Sequence, residues 1–242
     1  MEAVTLFIFV GGWGQSDVER VLDGAHRAAA RDLLEVLLAT GMIGQAVVAT
    51  DDAVWGLTLG DLPVEIDLDP PGEEFHFGQR LAGLIERHAA RRILYCGGAS
   101  APLLNVEQWR TILARLRESE RLLVTNNLHS CDWVALTPAD VAAARIAGQV
   151  NDNSLAWMLA QHGLPVEALP ASAATRFDLD TPADLWIARR DPRIGPHLRR
   201  FLDGLGWGPS PVDAVLDVMR REGSRLTLIG RVSGAAWAAL EG

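Results

Sequence analysis

Short apolar runs alternate with longer amphipathic stretches along most of this 242-residue chain. Continuous runs of β-branched and large apolar residues, of which VTLFIFV is the clearest, predict buried strands. The predicted strands cover residues 4–10, 45–50, 64–68, 92–96, 122–125, 133–136, 166–169 and 175–179. Apolar residues at helical spacing predict helices over residues 17–40, 73–90, 106–118 and 151–162, the first with a break at Asp23-Gly24.

Two Thr-Pro pairs predict further helix starts. In Thr137-Pro138 and Thr181-Pro182 the threonine is suited to the N-cap and the proline to the first helical position. Strands and helices therefore alternate from residue 4 to about residue 190. This order predicts a three-layer α/β/α fold with a mostly parallel mixed sheet.

The pattern changes after residue 190, where prolines and short helical pieces precede the apolar run LTLI, which predicts one more strand at residues 226–229. We therefore expect an α/β domain over residues 1–190 and a mainly helical C-terminal appendage over residues 191–242. Trp207, Trp237 and the LTLI run could serve either a homodimer interface or the packing of the appendage itself.

The chain carries a formal net charge of −9 and contains no lysine. The acidic balance argues against binding to nucleic acid, and the missing lysine excludes Schiff-base chemistry and a P-loop lysine. Any phosphate would be held by arginine, by backbone N–H groups or by a metal ion. No apolar run is long enough to span a membrane, and the N-terminus lacks a basic signal-peptide region. We therefore expect a cytoplasmic protein with no membrane partner.

Glycines follow the first predicted strand. Gly11, Gly12 and Gly14 open onto a predicted helix, whose first N–H groups could hold a phosphate. The segment has neither the G-x-G-x-x-G nor the Walker spacing, so a plain tight turn is the alternative. Arg20 follows within reach of the same loop.

Short polar side chains are dense in the segment TNNLHSCD, between two predicted strands. Asn127 and Asp132 in this segment are candidates for substrate contacts, although asparagine, serine and aspartate are also ordinary turn residues. Asn151-Asp152-Asn153 precedes an apolar helix and is most simply an N-cap cluster, with Asn153 as its candidate for function.

Asp178 and Asp180 flank Leu179 in the segment RFDLDTPADL. On a strand, alternate side chains share a face, so both carboxylates would point the same way. Two like charges side by side favour a cation between them. The alternative is a turn in which Asp180 is a solvated carboxylate at a helix start.

The segment FDLDTPADL, at residues 177–185, resembles the D-[IL]-[DN]-T-P-x-D-L segment near the end of many nucleotidyltransferases. The likeness includes a first strand that ends in Gly11-Gly12, and GASAPLL at residues 98–104, which is similar to a G-D-x-P-L segment. Residues 4–190 thus resemble the nucleotide-diphospho-sugar transferase (glycosyltransferase A-type) fold. The guanylyltransferases of molybdopterin and of 2-phospholactate are similar examples.

The resemblance implies a sheet that binds a nucleoside triphosphate or nucleotide sugar over its first half and a small phosphorylated acceptor over its second. A divalent cation, Mg²⁺ or Mn²⁺, would bridge the phosphates. The resemblance assigns Asp180 as a metal ligand with Asp178 beside it. It also assigns Gly11, Gly12 and Gly14 to the nucleotide-binding loop.

Two departures from the family pattern change the expected roles. The family's glycine loop leads to a lysine, and Arg20 is the nearest catalytic cation here. A metal-binding aspartate of the family aligns with Ser100, whose hydroxyl is a poorer Mg²⁺ ligand and would instead contact the nucleotide. Asp132, or else Asp51 and Asp52, could supply the missing carboxylate, with Asp132 as the candidate catalytic residue. Asn127 and Asn153 are candidates for acceptor contacts.

Together these features favour transfer of a nucleoside monophosphate from a nucleoside triphosphate, with release of pyrophosphate. A glycosyltransferase that uses a nucleotide sugar is the alternative. A nucleotide-binding or regulatory protein that has lost catalysis is a third possibility, because of Ser100 and the missing lysine.

Overall fold

The computed structural model describes residues 3–12, 14–230 and 234–241. Its strands are β1 (Val4–Val10), β2 (Ile43–Thr50), β3 (Glu65–Leu68), β4 (Ile93–Gly97), β5 (Leu122–Thr125), β6 (Trp133–Thr137) and β7 (Val166–Ala168). Its helices are α1 (Asp17–Leu38), α2 (Ala53–Leu57), α3 (Phe77–Arg87), α4 (Val106–Glu118), α5 (Ala139–Ile146), α6 (Leu155–Gln161), α7 (Ala173–Arg176), α8 (Pro182–Ala188), α9 (Pro196–Gly204), α10 (Pro211–Arg220) and α11 (Gly234–Glu241).

The seven strands form one sheet in the order β3-β2-β1-β4-β6-β5-β7. Strand β6 is antiparallel to its neighbours β4 and β5, and the other pairs are parallel. The expected mostly parallel mixed sheet is therefore confirmed. Because β6 runs the opposite way, the residue before it lies at the same edge as the carboxyl ends of the other strands.

Helices cover both faces of the sheet. On one face Phe7 of β1 belongs to a buried cluster with Leu81 of α3, Ile146 of α5 and Leu155 of α6. Leu6 and Ile8 of the same strand point to the opposite face and are also fully buried, where α1 and α4 pack on the sheet. The three-layer arrangement follows from strands that are apolar on both faces.

Helix α1 is one continuous helix of 22 residues, so the predicted break at Asp23-Gly24 is wrong. A Cβ atom at Gly24 would lie 2.5 Å from Cε2 of Phe201, a residue of α9. The glycine therefore permits the close approach of α9 to α1 and does not interrupt α1.

The two Thr-Pro pairs behave differently. Thr181 is the N-cap of α8, accepts from the N–H of Asp184 and has Pro182 in the first turn, as predicted. Thr137 is the last residue of β6, and Pro138 occupies the N-cap of α5 without a side-chain capping bond. The predicted threonine cap at residue 137 is therefore wrong, because pairing with β5 keeps Thr137 in the sheet.

Two predicted strands are absent from the described structure. Residues 173–176 form helix α7, and residues 177–180 form a loop that leads to α8. The alternation of apolar and polar residues that predicted a strand comes from one fully buried side chain, Leu179, between Asp178 and Asp180. Residues 226–229 also form no strand, and Ile229 is 95% exposed.

The chain divides into two compact units, Met1–Gly204 and Leu205–Gly242. Helix α9 belongs to the first unit, where the carboxylate of Asp32 in α1 accepts from the N–H groups of His197 (2.9 Å) and Leu198 (2.8 Å). In the second unit, α10 buries none of its residues. No helix among the described residues is long and apolar enough to cross a membrane. A functional division near residue 190 stays a prediction.

Candidate functional site

A cleft of about 1050 Å³ lies in the first unit, at the edge where the parallel strands end. Residues that follow β1, β2, β3 and β4 line it, together with the residues before β6, α6 and α8. Its polar and charged lining residues are His26, Asp51, Asp69, Glu73, Glu74, His76, Gln79, Arg80, Tyr95, Ser100, Ser130, Asp132, Asn151, Asp152, Asn153, Asp178 and Asp180. Ligands of open α/β sheets bind at this edge, and the cleft therefore defines the candidate site.

Four carboxylates from three loops line the cleft and lie close enough for their charges to interact: Asp132, Asp152, and the pair Asp178 and Asp180, which share one loop. Burial, together with the neighbouring charges of Asp132 and Asp180, raises the pKa of Asp178 to about 7. Burial also raises the pKa values of Asp132 and Asp152, with the charge of Asp180 adding to both. We call these four residues the acid cluster. The repulsion between these carboxylates suits the acid cluster to a cation.

Neutral side chains hold two members of the acid cluster. Asn126 donates from Nδ2 to Oδ2 of Asp132, while the N–H of Asp132 donates to Oδ1 of Asn126 at 3.1 Å. The phenol of Tyr95, in the buried strand β4, donates to Oδ2 of Asp152 at 2.9 Å. This bond lowers the pKa of Asp152 and opposes part of the effect of burial.

The other two members lie on either side of Leu179. The N–H of Leu179 donates to Oδ1 of Asp178 at 2.9 Å, and its carbonyl accepts from Nε2 of His26 at 2.7 Å. Within the described ranges, the Asp180 side chain makes no hydrogen bond or ion pair. The carboxylate of Asp184 accepts from the N–H and hydroxyl of Thr181, both at 2.7 Å, and so serves the helix cap.

The glycine loop is only partly in the cleft. Gly11 and Gly12 line the cleft, and the N–H of Gly12 donates to Oδ1 of Asp51 at 2.9 Å. Gly14, with φ of +84°, lies instead beside Glu19, whose carboxylate accepts from the N–H of Ser16 at the start of α1. Acidic side chains of the chain itself therefore occupy positions that the sequence assigned to phosphate.

The structure does not bring Arg20 to the cleft. Arg20 is exposed, pairs with Asp17 at 2.5 Å and donates to the backbone carbonyl of Gln15. Among the residues described, Arg80 lines the cleft instead, and it pairs with Asp69 at 2.8 Å. The sequence could not predict which arginine side chain lies in the cleft. An arginine side chain is long and flexible, and its place depends on the acid with which it pairs in the folded protein.

Ser100 lies in the cleft and is 4% exposed. Its hydroxyl donates to the backbone carbonyl of Asp132 at 2.7 Å, so it supports the segment that carries this acid. Asn153 also lines the cleft, and its Oδ1 accepts from the Ser130 hydroxyl at 3.3 Å. Asn127 does not line the cleft, and its Oδ1 accepts from the N–H of His129 at 3.3 Å.

Among the described residues, two groups place three ligand atoms within 4.8 Å of one another, and neither is in the acid cluster. In Asp32–Glu35–His197 the aspartate already caps α9, and in Glu65–Asp67–His88 the aspartate pairs with two arginines. The acid cluster offers carboxylate oxygens, which are the hard ligands that Mg²⁺ and Mn²⁺ prefer. Unlike the aspartates of those two groups, Asp180 has no hydrogen bond or ion pair among the described residues. The members of the acid cluster would have to draw closer to share one ion.

Sequence reasoning missed three residues of the site, His26, Tyr95 and Asp152. Asp152 was read only as part of an N-cap cluster, and His26 and Tyr95 lie within a predicted helix and a predicted strand. The sequence signal for His26 and Tyr95 is a polar side chain within an otherwise apolar stretch. Tyr95 is 57 residues from its hydrogen-bond partner Asp152, and His26 is 153 residues from Leu179. Residue spacing in the sequence therefore does not predict these contacts.

No protein-family model and no curated protein matches this chain. Solved structures do match its fold. A nucleotidyl transferase from Methanothermobacter thermautotroptrophicus (Mth528) has a TM-score of 0.62 and 14% identity, over 84% of this chain and 100% of that one. CMP:2-keto-3-deoxy-manno-octonic acid synthetase, solved with CTP, has a TM-score of 0.53 and 13% identity, over 78% of this chain and 97% of that one.

A third match is Rv0371C from Mycobacterium tuberculosis H37Rv, solved in complex with manganese. Its TM-score is 0.51 and its identity 15%, over 84% of this chain and 99% of that one. Identities this low support a shared fold alone. The chain therefore has the α/β fold of nucleotidyltransferases and nucleotide-diphospho-sugar transferases, as the sequence resemblance predicted.

Proposed function

We propose that this protein is a metal-dependent nucleotidyltransferase, which transfers a nucleoside monophosphate from a nucleoside triphosphate to a small phosphorylated acceptor. The observation that carries the proposal is the acid cluster, which gathers four carboxylates at the ligand-binding edge of the sheet. The fold shared with a synthetase solved with CTP and with a manganese complex supports the same chemistry.

Asp180 and Asp178 would hold the cation, and Asp132 or Asp152 would complete its oxygen ligands in place of the carboxylate that Ser100 replaces. A bound Mg²⁺ or Mn²⁺ supplies neutralisation of triphosphate charge. The acceptor phosphate is already ionised, so it needs no general base. Its oxygen forms the new bond to the α-phosphorus as the bond to the β-phosphate oxygen breaks and pyrophosphate leaves.

The backbone N–H groups of Gly11 and Gly12 would then bind phosphate oxygens. The Asp51 carboxylate, which accepts from Gly12 in the structure, must give way to the phosphate because both are anions. Arg20 would take part only after release from Asp17. Asn153 lies where it can contact an acceptor, and Asn127 would need the 126–132 loop to rearrange.

The proposal is tested by incubating the protein with each nucleoside triphosphate, Mg²⁺ or Mn²⁺ and a panel of phosphorylated acceptors, and measuring pyrophosphate. We expect release that requires the metal and is lost in Asp180→Ala. Glu118→Ala is the matched control, because it removes an exposed carboxylate outside the cleft. Equal pyrophosphate release by Asp180→Ala and the parent chain would exclude the proposed metal site.

The second candidate function is nucleotide binding without transfer. The use of Ser100 as a backbone support and the absence of lysine from the chain favour it. Nucleotide binding that raises the melting temperature, without turnover and without an effect of Asp180→Ala, would support it. Hydrolysis of a nucleotide sugar in place of pyrophosphate release would support the glycosyltransferase alternative. Cytoplasmic location, a homodimer and the choice between Mg²⁺ and Mn²⁺ stay predictions.

A further inference from the structure

The loop that carries Asp178 and Asp180 is not part of the sheet, so no strand ladder fixes its backbone. Its central residue, Leu179, has a fully buried side chain. The N–H of Leu179 donates to the neighbouring Asp178 carboxylate at 2.9 Å. Both groups belong to the loop, so this bond does not attach the loop to another element. The Leu179 carbonyl is bonded to His26 at 2.7 Å, and His26 belongs to a different element of the fold.

His26 lies within helix α1 and is 8% exposed. The helix is fixed at its start by the reciprocal capping of Ser16 and Glu19. Further along, Asp32 binds the start of α9 through two N–H groups. Because a carbonyl oxygen accepts, Nε2 of His26 carries the proton and donates to Leu179. A rigid helix thereby fixes the peptide between the two acids.

The exposed Asp180 side chain has no hydrogen bond or ion pair in the part of the chain that the structure describes, so no side-chain partner holds its carboxylate, and the loop backbone sets the region that the carboxylate can reach. The charges of Asp132, Asp152 and Asp178 all lie close enough to Asp180 to act on it or to be affected by it. Like charges repel, and this repulsion favours conformations in which the loop lies farther from the other acids. The bond from His26 ties the loop to α1 and so restrains it.

We propose that His26 is a positioning residue, which holds the Leu179 peptide so that Asp178 and Asp180 both face a divalent cation. This inference rests on the proposed function, because it requires the acid cluster to bind the cation. His26 itself does not ligate the ion or touch the reacting phosphates. Side chains that orient metal ligands by hydrogen bonding typically change metal affinity about 10- to 100-fold when they are replaced.

The test compares His26→Gln with His26→Asn. The glutamine amide reaches about as far as Nε2 of histidine and can donate to the Leu179 carbonyl, whereas the shorter asparagine amide cannot. Mn²⁺ binding is titrated by electron paramagnetic resonance on the full chain without substrate, so the readout does not depend on activity. We expect His26→Asn to weaken Mn²⁺ binding at least about 10-fold and His26→Gln to change it less than about threefold.

Two controls separate the possible failures. Asp180→Ala should lose Mn²⁺ binding, and Leu34→Val, a buried change in α1 that does not line the cleft, should retain it. Equal binding by His26→Asn and the parent, with loss in Asp180→Ala, would overturn the role of His26 and leave the metal site standing. If Leu34→Val weakened Mn²⁺ binding as much as His26→Asn does, the effect would come from a general loss of packing in α1. That result would also overturn the role of His26. No Mn²⁺ binding by the parent chain would overturn both the proposed function and this inference.

Discussion

Replacing Asp178 by asparagine should stabilise the protein at neutral and higher pH. Burial and the charges of Asp132 and Asp180 raise the pKa of the Asp178 carboxyl from its ordinary value of 3.8 to about 7. The folded protein therefore holds this proton over a pH range in which the unfolded chain has already released it. The contribution of Asp178 to the free energy of unfolding therefore falls as pH rises from about 4 to about 7, and then reaches a plateau.

The size of the effect follows from the shift in pKa. At about 1.4 kcal/mol per pH unit, a shift from 3.8 to about 7 corresponds to an upper limit of about 4 kcal/mol on the plateau. Asparagine has a similar shape and no charge, so Asp178→Asn avoids this cost. Its advantage should be about 1.4 kcal/mol smaller at pH 6 than at pH 8, because the parent is still largely protonated at pH 6.

The assay is urea unfolding at pH 6 and pH 8, with Glu118→Gln as a control that removes one exposed charge outside the cleft. We expect Asp178→Asn to raise the free energy of unfolding at pH 8 by a few kcal/mol, and a melting temperature higher by about 2–4 °C per kcal/mol. Mn²⁺ should stabilise the parent more than the variant, since the variant lacks one ligand. An advantage that is absent at pH 8, or equal at both pH values, would refute this account of Asp178.

Three further changes test other parts of the structure by urea unfolding. Tyr95→Phe removes the donor to Asp152 and should cost about 1–2 kcal/mol; an unchanged free energy of unfolding would mean that water replaces the phenol. Thr181→Ala removes the cap of α8 and should cost about 1 kcal/mol; no loss would mean that the cap adds nothing. Gly24→Ala places a methyl group against Phe201 and should cost about 1–3 kcal/mol, although alanine favours a helix. A more stable Gly24→Ala protein would show that the ring moves aside freely.

Local sequence signals predicted most of the sheet and one helix start. Continuous apolar runs placed β1, β2, β4, β5 and β6 to within a few residues, because a strand buried on both faces needs apolar side chains throughout. The cap at Thr181 was predictable because its partners lie within four residues. The segment around Asp178 and Asp180 was wrongly predicted as a strand, since alternation alone does not distinguish a strand from a loop with one buried leucine.

By itself, the sequence determined the α/β class and predicted that the candidate site lies at the carboxyl edge of the sheet, with Asp178 and Asp180 among its candidate residues. Only the tertiary structure decided that Asp152 joins them, that Arg20 remains with Asp17 outside the cleft, and that His26 holds the loop between the two acids. The physical reason is the range of the interactions. Backbone propensity and capping act over a few neighbouring residues, whereas burial and charge act between side chains that only the folded chain brings together.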